Sequence, residues 1–525
     1  MMKRVVDGPH LRPVLGWLGR RSPGNVAMIF GISLIPLLIA AGTAVDMSRA
    51  VIVKSRLSKA IDAAGLAVGG SIGKTQQELE QIASDYFYAN YPYDKLGQTT
   101  QFNVSVSDNI VSIDATAEVS TTLMKIAGMD KVEVHSSAEI IRETKKLEVA
   151  LVLDNTGSMS SNGKIGALRT AATELINIIF GDNPSPDHLT VSLVPFVTAV
   201  NIKNEEFDWS WIDGAQGRDA LAQFHGVNFL PMPDGSKVNH LDLFDNIANA
   251  DWRGCVETRP APYDTDDTEP SIANPDTLFV PYFWPDEPDT GGSDFHNKYA
   301  TDKLASYPGG LADTEANRQA NWAKYDGSNV TVDETPMDTA GPNKSCATPL
   351  VPLTRDKQRL LTEIANMQPW NNSGTNNAEG LAWGLRVLSP TPPFTTGAAW
   401  DDPETRKALI VLTDGENQIF GGYSQLNKSN YSSVGYLSLN RLGTTSYQTA
   451  KGKLNAKVIE VCDELKAQKV RIYAITFQVS AAAIKDTFLA CASDPTLYFN
   501  SPSNADLQDV FRAIGQDLSN LRLSK

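Results

Sequence analysis

The chain has 525 residues, 42% of them hydrophobic and 20% charged, too long for one ordinary domain and too apolar for wholesale disorder. Lys and Arg number 46 against 61 Asp and Glu, a formal net charge of −15, which argues against nucleic acid as a partner. Four cysteines are too few for a disulfide scaffold but allow two bridges in an oxidising compartment.

The first 24 residues carry Lys3, Arg4, Arg12, Arg20 and Arg21 against Asp7. An uncharged run of 20 residues follows, Val26 to Val45, and as a helix it spans about 30 Å, the thickness of the hydrocarbon layer. Pro36 and Gly31 are tolerable in such a helix. The basic flank stays in the cytoplasm and everything after Asp46 crosses to the other side. A cleaved signal peptide is the competing reading, but its apolar region is roughly 7–15 residues and ends in an A-x-A-like site. Here the small-x-small candidate is Gly42-Thr43-Ala44, a poor match, so residues 26–45 are read as an uncleaved anchor. Both readings export the remainder.

The helical pattern runs on past the anchor, with Ala50, Val53, Leu57, Ala60, Ile61, Ala64 and Ala67 on one face. A second helix is predicted from Gln76 to Tyr91, ending at Pro92. From Gln101 to Ile141 the period changes to two: FNVSVSDNIVSIDATAEV reads as a hairpin turning at Ser107-Asp108-Asn109, and KVEVHSSAEII as a further strand. The periodicity of residues 46–145 therefore predicts helix followed by strands, a small α+β region whose plan resembles that of a pilin.

From Lys146 the strands become continuously apolar, as in a sheet buried on both faces. KLEVALVL, LTVSLVPFV (189–197), KALIVLT (407–413) and VRIYAITF (470–477) alternate with helices predicted near 165–180, 357–367, 378–388, 450–468 and 504–521. That alternation predicts an α/β, doubly wound, Rossmann-like domain over 146–202 and 347–525.

Between Lys203 and Cys346 the alternation stops. This insertion holds 12 of the 29 prolines, five of the nine tryptophans, and 26 acidic against 10 basic residues. The net acidity therefore belongs to 203–346, and the rest of the chain is close to neutral. A disordered linker is poor in aromatic residues, so the insertion is read as ordered with little regular structure. Its tryptophans are compatible with a binding surface or with packing. The acidic run Asp264 to Glu269 lacks the glycine and spacing of a calcium loop and is read as solvated. GGSIGKT (69–75) resembles a phosphate loop, but Val68 stands where the first glycine is required and a helix precedes it. The six histidines show no metal spacing and no nucleophile–base set can be assembled, so an enzyme is not expected.

The chemistry gathers where strands end. VALVL runs into Asp154-Asn155-Thr156-Gly157-Ser158, KALIVLT into Asp414-Gly415, and SGTNNAEG places Thr375 ahead of a helix. In an open α/β sheet ligands collect at the carboxyl ends of the strands, and carboxylates with hydroxyls suit a hard cation such as Mg²⁺.

DNTGSMS, GTNNAEGLAWG and LIVLTDGEN resemble, in order, the three loops of a von Willebrand factor type A domain with its metal-ion-dependent adhesion site. The resemblance implies direct binding of Mg²⁺ or a similar cation by Thr156, Ser158 and Thr375, with Asp154 and Asp414 acting through water. Thr156 stands where many members have Ser and keeps the hydroxyl. RRSPGNVAMIFGISLIPLLIAAGTAVDMSRA, WRGCVETRP, CATPLVPLT and GLAWGLRVLSPTPPF further resemble the TadG-like proteins of the tight-adherence (Flp) pilus machinery. That resemblance implies a single-pass bacterial inner-membrane protein, N-terminus cytoplasmic and bulk periplasmic, serving pilus assembly or anchoring through partners that include pseudopilins. Ile29 stands five residues after Gly24, where processed pseudopilins carry Glu, which argues against peptidase processing.

A surface adhesin using the same site on a host or matrix ligand is the alternative; a regulatory subunit of a chelatase-like ATPase is disfavoured by the missing nucleotide motif and the export. Of three possible cysteine connectivities, Cys255–Cys346 with Cys462–Cys491 is the most local.

Overall fold

Helix α1 runs from Asn25 to Gly69, unbroken through Pro36. The computed structural model describes residues 25–71, 76–92, 97–107, 110–141, 145–217, 221–290, 295–304, 307, 310–333, 340–370, 374–421 and 426–521. The basic segment 1–24, Asp108 and Asn109 of the hairpin turn, and residues 72–75 of the glycine run lie outside them. The chain divides into two units, Met1–Glu143 and Thr144–Lys525.

In the first unit, the apolar run of α1 has its large side chains exposed as far as Leu38, while Ala50, Val53, Leu57, Ala60, Ile61 and Ala64 are buried. Val68, not Ala67, completes that stripe, because four residues after Ala64 falls closer to the same face than three. Helix α2 (Gln76–Asn90) contributes Leu79, Ala83 and Phe87. Strands β1 (Gln98–Ser107), β2 (Ile110–Ser120) and β3 (Lys131–Ile141) form an antiparallel sheet in that order. Every second residue of β2 is buried, from Val111 through Ile113, Ala115 and Ala117 to Val119, as a sheet covered on one face requires. The single face covered by α1 is the reason the period is two here and not in the second unit.

In the second unit the elements follow as β4 (Lys146–Asp154), α3 (Lys164–Phe180), β5 (Leu189–Phe196), β6 (Val200–Asn201), α4 (His240–Asn246), β7 (Cys255–Val256), α5 (Glu315–Ala320) and β8 (Val351–Thr354). Then come α6 (Lys357–Asn366), α7 (Asn377–Leu388), β9 (Thr405–Thr413), α8 (Tyr447–Ala467), β10 (Arg471–Phe477), α9 (Ala482–Cys491), β11 (Tyr498–Ser501) and α10 (Asn504–Leu521). Six strands form one sheet, β11-β10-β9-β4-β5-β8, parallel except for β8 at the edge. From β4 the chain winds outward through β5, and from β9 it winds the other way through β10. The topological switch therefore lies between β4 and β9, where ligand crevices form in such sheets. All of β4 beyond Lys146 is buried.

The insertion packs into the core of this sheet. Trp211, Trp252, Phe279, Phe283 and Tyr325 share one apolar cluster with β4, β5 and β9. Trp284 is fully buried, whereas Trp209 is 46% exposed, so packing accounts for most of these tryptophans. The acidic run is not a solvated loop. Arg386 donates to the carbonyls of Tyr263, Asp264 and Asp266, and Arg259 to those of Tyr263, Asp266, Thr268 and Thr277. Asp267 accepts from Ser389 and Trp400. Two buried guanidiniums need acceptors, and this turn supplies them. Disulfides join Cys255 to Cys346 and Cys462 to Cys491, the local pairing.

Candidate functional site

The β4 strand ends on Asp154, which is fully buried. Its Oδ1 accepts the Thr156 N–H at 2.8 Å, and its Oδ2 accepts from the Thr413 hydroxyl at 2.8 Å and the Asp414 N–H at 3.3 Å. One carboxylate thus fastens the ends of β4 and β9 together and bends the loop so that alternate side chains face one way. The Thr156 and Ser158 hydroxyl oxygens lie 3.0 Å apart. Ser158 Oγ donates to Asp414 Oδ1 at 2.5 Å, and the Lys164 ammonium, at the start of α3, lies 2.8 Å from Asp414 Oδ2.

The third loop approaches through Gly374, whose φ is +97° and where a Cβ would lie 1.8 Å from the Gln418 carbonyl oxygen. Only glycine fits there. The next residue, Thr375, pairs with Gln418 through both backbone groups, at 2.7 and 2.9 Å. Thr156, Ser158 and Thr375 line one cavity of about 300 Å³ with Trp370, Glu416 and Phe420. Asp154 and Asp414 are not among its lining residues and stand behind its wall.

Two carboxylates so close repel one another, and burial adds to that. Burial first and Asp414 second push Asp154 up to about 7, against the hydrogen bonds from Thr156 and Thr413. Lys164 answers the second carboxylate. Among the described residues no three His, Cys, Asp or Glu side chains are gathered as for a metal; the oxygens here come from two carboxylates and three hydroxyls. That set is chemically right for a hard cation. The 3.0 Å between Thr156 and Ser158 matches the roughly 2.9 Å edge of an octahedron with 2.0–2.1 Å bonds.

Sequence motifs did not reveal Lys164, Thr413, Trp370 or Asn155. Thr413 could have been found as the hydroxyl next to Asp414. Asn155 is fully buried with neither side-chain atom hydrogen-bonded, and nothing in its spacing announces that.

Residues 24–71 match the Tad family model, Flp pilus-assembly TadE/G-like. The match covers α1 with one residue before it and two beyond, so a pilus-assembly-type segment stands near the N-terminus of the sequence. No curated protein matches. Among solved structures, the vWF domain of the type V pili tip protein Mfa5 from Porphyromonas gingivalis is similar at 9% identity and TM-score 0.33, covering 73% of this chain and 97% of that one. The pilus adhesin SpaC from Lactobacillus rhamnosus GG follows at 11% and 0.32, covering 82% and 35%. The PilB minor pilin from Streptococcus sanguinis is similar at 10% and 0.30, covering 81% and 79%. Likenesses this weak decide neither function nor ligand.

Proposed function

We propose that this chain is a non-enzymatic component of a pilus assembly or anchoring machine, held in the inner membrane by residues 26–45 with its bulk in the periplasm. Its crevice between β4 and β9 acts as a metal-ion-dependent site for protein–protein contact. The match of residues 24–71 to a pilus-assembly family supports the setting. The observation that carries the site is the chain of oxygens at the topological switch, with Ser158 Oγ 3.0 Å from the Thr156 hydroxyl and 2.5 Å from Asp414 Oδ1.

Thr156, Ser158 and Thr375 would hold Mg²⁺ directly, with Asp154 and Asp414 behind them. A bound cation supplies an open coordination position for an acidic group of a partner. The protein's own part is to keep the hydroxyls converged: Asp154 clamps the two strand ends, Gly374 lets the Thr375 loop approach, and the cavity leaves room for an incoming side chain.

The test is thermal unfolding of the protein with EDTA and with Mg²⁺, for wild type and Asp154→Ala. A Mg²⁺-dependent rise in wild type that is lost in the variant is expected; an equal rise in both overturns the site. Pull-down from membranes with and without Mg²⁺ then separates roles. Recovery of pilus-machine components supports assembly, whereas surface accessibility without them supports the adhesin alternative.

A further inference from the structure

The first unit holds an unusual loop between β2 and β3. Residues 121–130 include a short 3₁₀ turn, Met124–Ala127, and expose Leu123 (37%), Ile126 (74%) and Met129 (54%). Loops in water favour polar residues, and one offering three large apolar side chains needs a reason.

Asp46 fastens the loop. That carboxylate accepts the N–H groups of Thr122, Leu123 and Met124 at 2.9–3.1 Å and is itself only 2% exposed. Asp46 is the first charged residue after the uncharged run Val26–Val45, so the loop is fastened to α1 where the helix leaves that run. Its apolar end reaches back beyond Asp46: a Cβ on Gly42 would lie 2.3 Å from Leu123 Cβ. Gly42 lies inside the apolar run, about 5 Å before its end at 1.5 Å per residue. The Arg49 guanidinium, one turn further on, donates to the Thr122 hydroxyl at 2.9 Å, and Lys125 is exposed beside Ile126. Met47 and Val51 of α1 are exposed too, at 55% and 63%.

We propose that this loop is a second membrane contact. Leu123, Met124, Ile126 and Met129 enter the headgroup–acyl boundary of the leaflet from which α1 emerges, and Arg49 and Lys125 sit at the level of the lipid phosphates. The depth, set by Leu123 against Gly42, is that of an interfacial anchor, not of a second span. The carboxylate of Asp46, already satisfied by three backbone donors, is tolerated at that depth. Two points of attachment fix the tilt of the first unit on the bilayer, where one helix alone leaves it free to swing. This inference rests on the anchoring of residues 26–45 proposed above.

The experiment uses the full chain with single substitutions Ile126→Cys, Leu34→Cys or Leu66→Cys. All four native cysteines are paired, so the new thiol alone takes a nitroxide label. The proteins are reconstituted in phosphatidylethanolamine–phosphatidylglycerol vesicles, with a water-soluble nickel chelate on both sides. The label at Ile126→Cys should relax with oxygen in preference to nickel, as at Leu34→Cys, while Leu66→Cys, 80% exposed and well past the span, shows the reverse. Nickel access at Ile126→Cys with oxygen access at Leu34→Cys overturns the loop contact and leaves the anchor standing. Nickel access at both overturns the anchor as well. Protection of Ile126→Cys from both quenchers means that protein covers the loop, and this also overturns the proposal.

Discussion

Lys164 and Asp414 form an ion pair of 2.8 Å with side chains 9% and 0% exposed, joining the start of α3 to the end of β9 beneath the candidate site. Lys164 is the nearest positive charge in a cluster of two buried carboxylates. Its removal leaves a buried charge without compensation, which typically costs about 3–5 kcal/mol. Lys164→Met should therefore lower the unfolding free energy measured by urea titration in EDTA by that amount, seen as a lower midpoint. Mg²⁺ should recover more of the loss in the variant than it adds to wild type, because the cation then replaces the missing charge. An unchanged midpoint in EDTA would show that Asp414 does not depend on the ammonium.

The insertion hides an acid-sensitive pair. His240 Nδ1 lies 2.7 Å from the Pro281 carbonyl, and the backbone N–H of His240 donates to His225 Nε2 at 2.8 Å. Both rings are fully buried, and burial, aided at His240 by His225, lowers them to about 3 for His225 and about 4 for His240. A histidine with a depressed folded value binds its proton more readily when unfolded. Stability is thus lost as pH falls from the unfolded value near 6.5 towards about 4. Asp213, whose Oδ2 is 2.7 Å from His225 Nδ1 and which burial raises to about 7, works in the opposite sense. Comparison of variants isolates the first effect. His240→Asn keeps a donor for Pro281 and removes the titration, so its stability loss between pH 7 and 4.5 should be smaller than that of wild type by about 2 kcal/mol. Parallel pH profiles from denaturant unfolding would refute this.

The strands of the main sheet were legible because both of their faces are buried: β4, β5, β9 and β10 are near-continuous apolar runs. The elements that escaped are edge or weakly marked ones. β8 is four residues containing Pro352, and β11 is half-exposed at Tyr498 and Phe499. α9 starts after Ala481, which makes no side-chain cap, so no start signal exists. The hydroxyls and carboxylates of the candidate site were legible as motifs at the ends of β4 and β9 and, for Thr375, in the loop ahead of α7. Lys164 was not, since the turn that brings it back to Asp414 depends on the αL residues Asn162 and Gly163. The acidic run was misread for a similar reason: its partners, Arg386 and Ser389, lie on or just beyond a helix more than a hundred residues away.

Arg386 is the pin of that arrangement. It is 1% exposed, donates to three carbonyls of the 263–266 turn, and stacks 5.0 Å from the Trp383 ring centre. Arg386→Met fits the space but leaves the Asp264 carbonyl without its donor, leaves those of Tyr263 and Asp266 to Arg259 alone, and leaves Glu379, 4.0 Å away, with less compensation. A loss of about 3–5 kcal/mol is expected, with new proteolytic cleavage confined to residues 260–270. Cleavage elsewhere, or none, would mean that the turn is held by Arg259 without help.

The two disulfides should differ in worth because they close loops of different length. Cys255–Cys346 spans 91 residues and Cys462–Cys491 spans 29. Chain entropy in the unfolded state gives about 4–5 kcal/mol for the first and about 3–4 for the second. All four sulfurs are buried, so alanine is the right replacement, leaving no unsatisfied hydroxyl. Cys462→Ala with Cys491→Ala should lower stability in urea by the smaller amount and free the uncapped α9 to fray first. Cys255→Ala with Cys346→Ala should cost more and loosen the junction of β7 with the segment leading into β8. The reverse order would show that native packing between α8 and α9, not unfolded-chain entropy, sets the contribution. Four free thiols in a non-reducing peptide map of protein from the native host would contradict the bridges and count against the periplasmic placement proposed above.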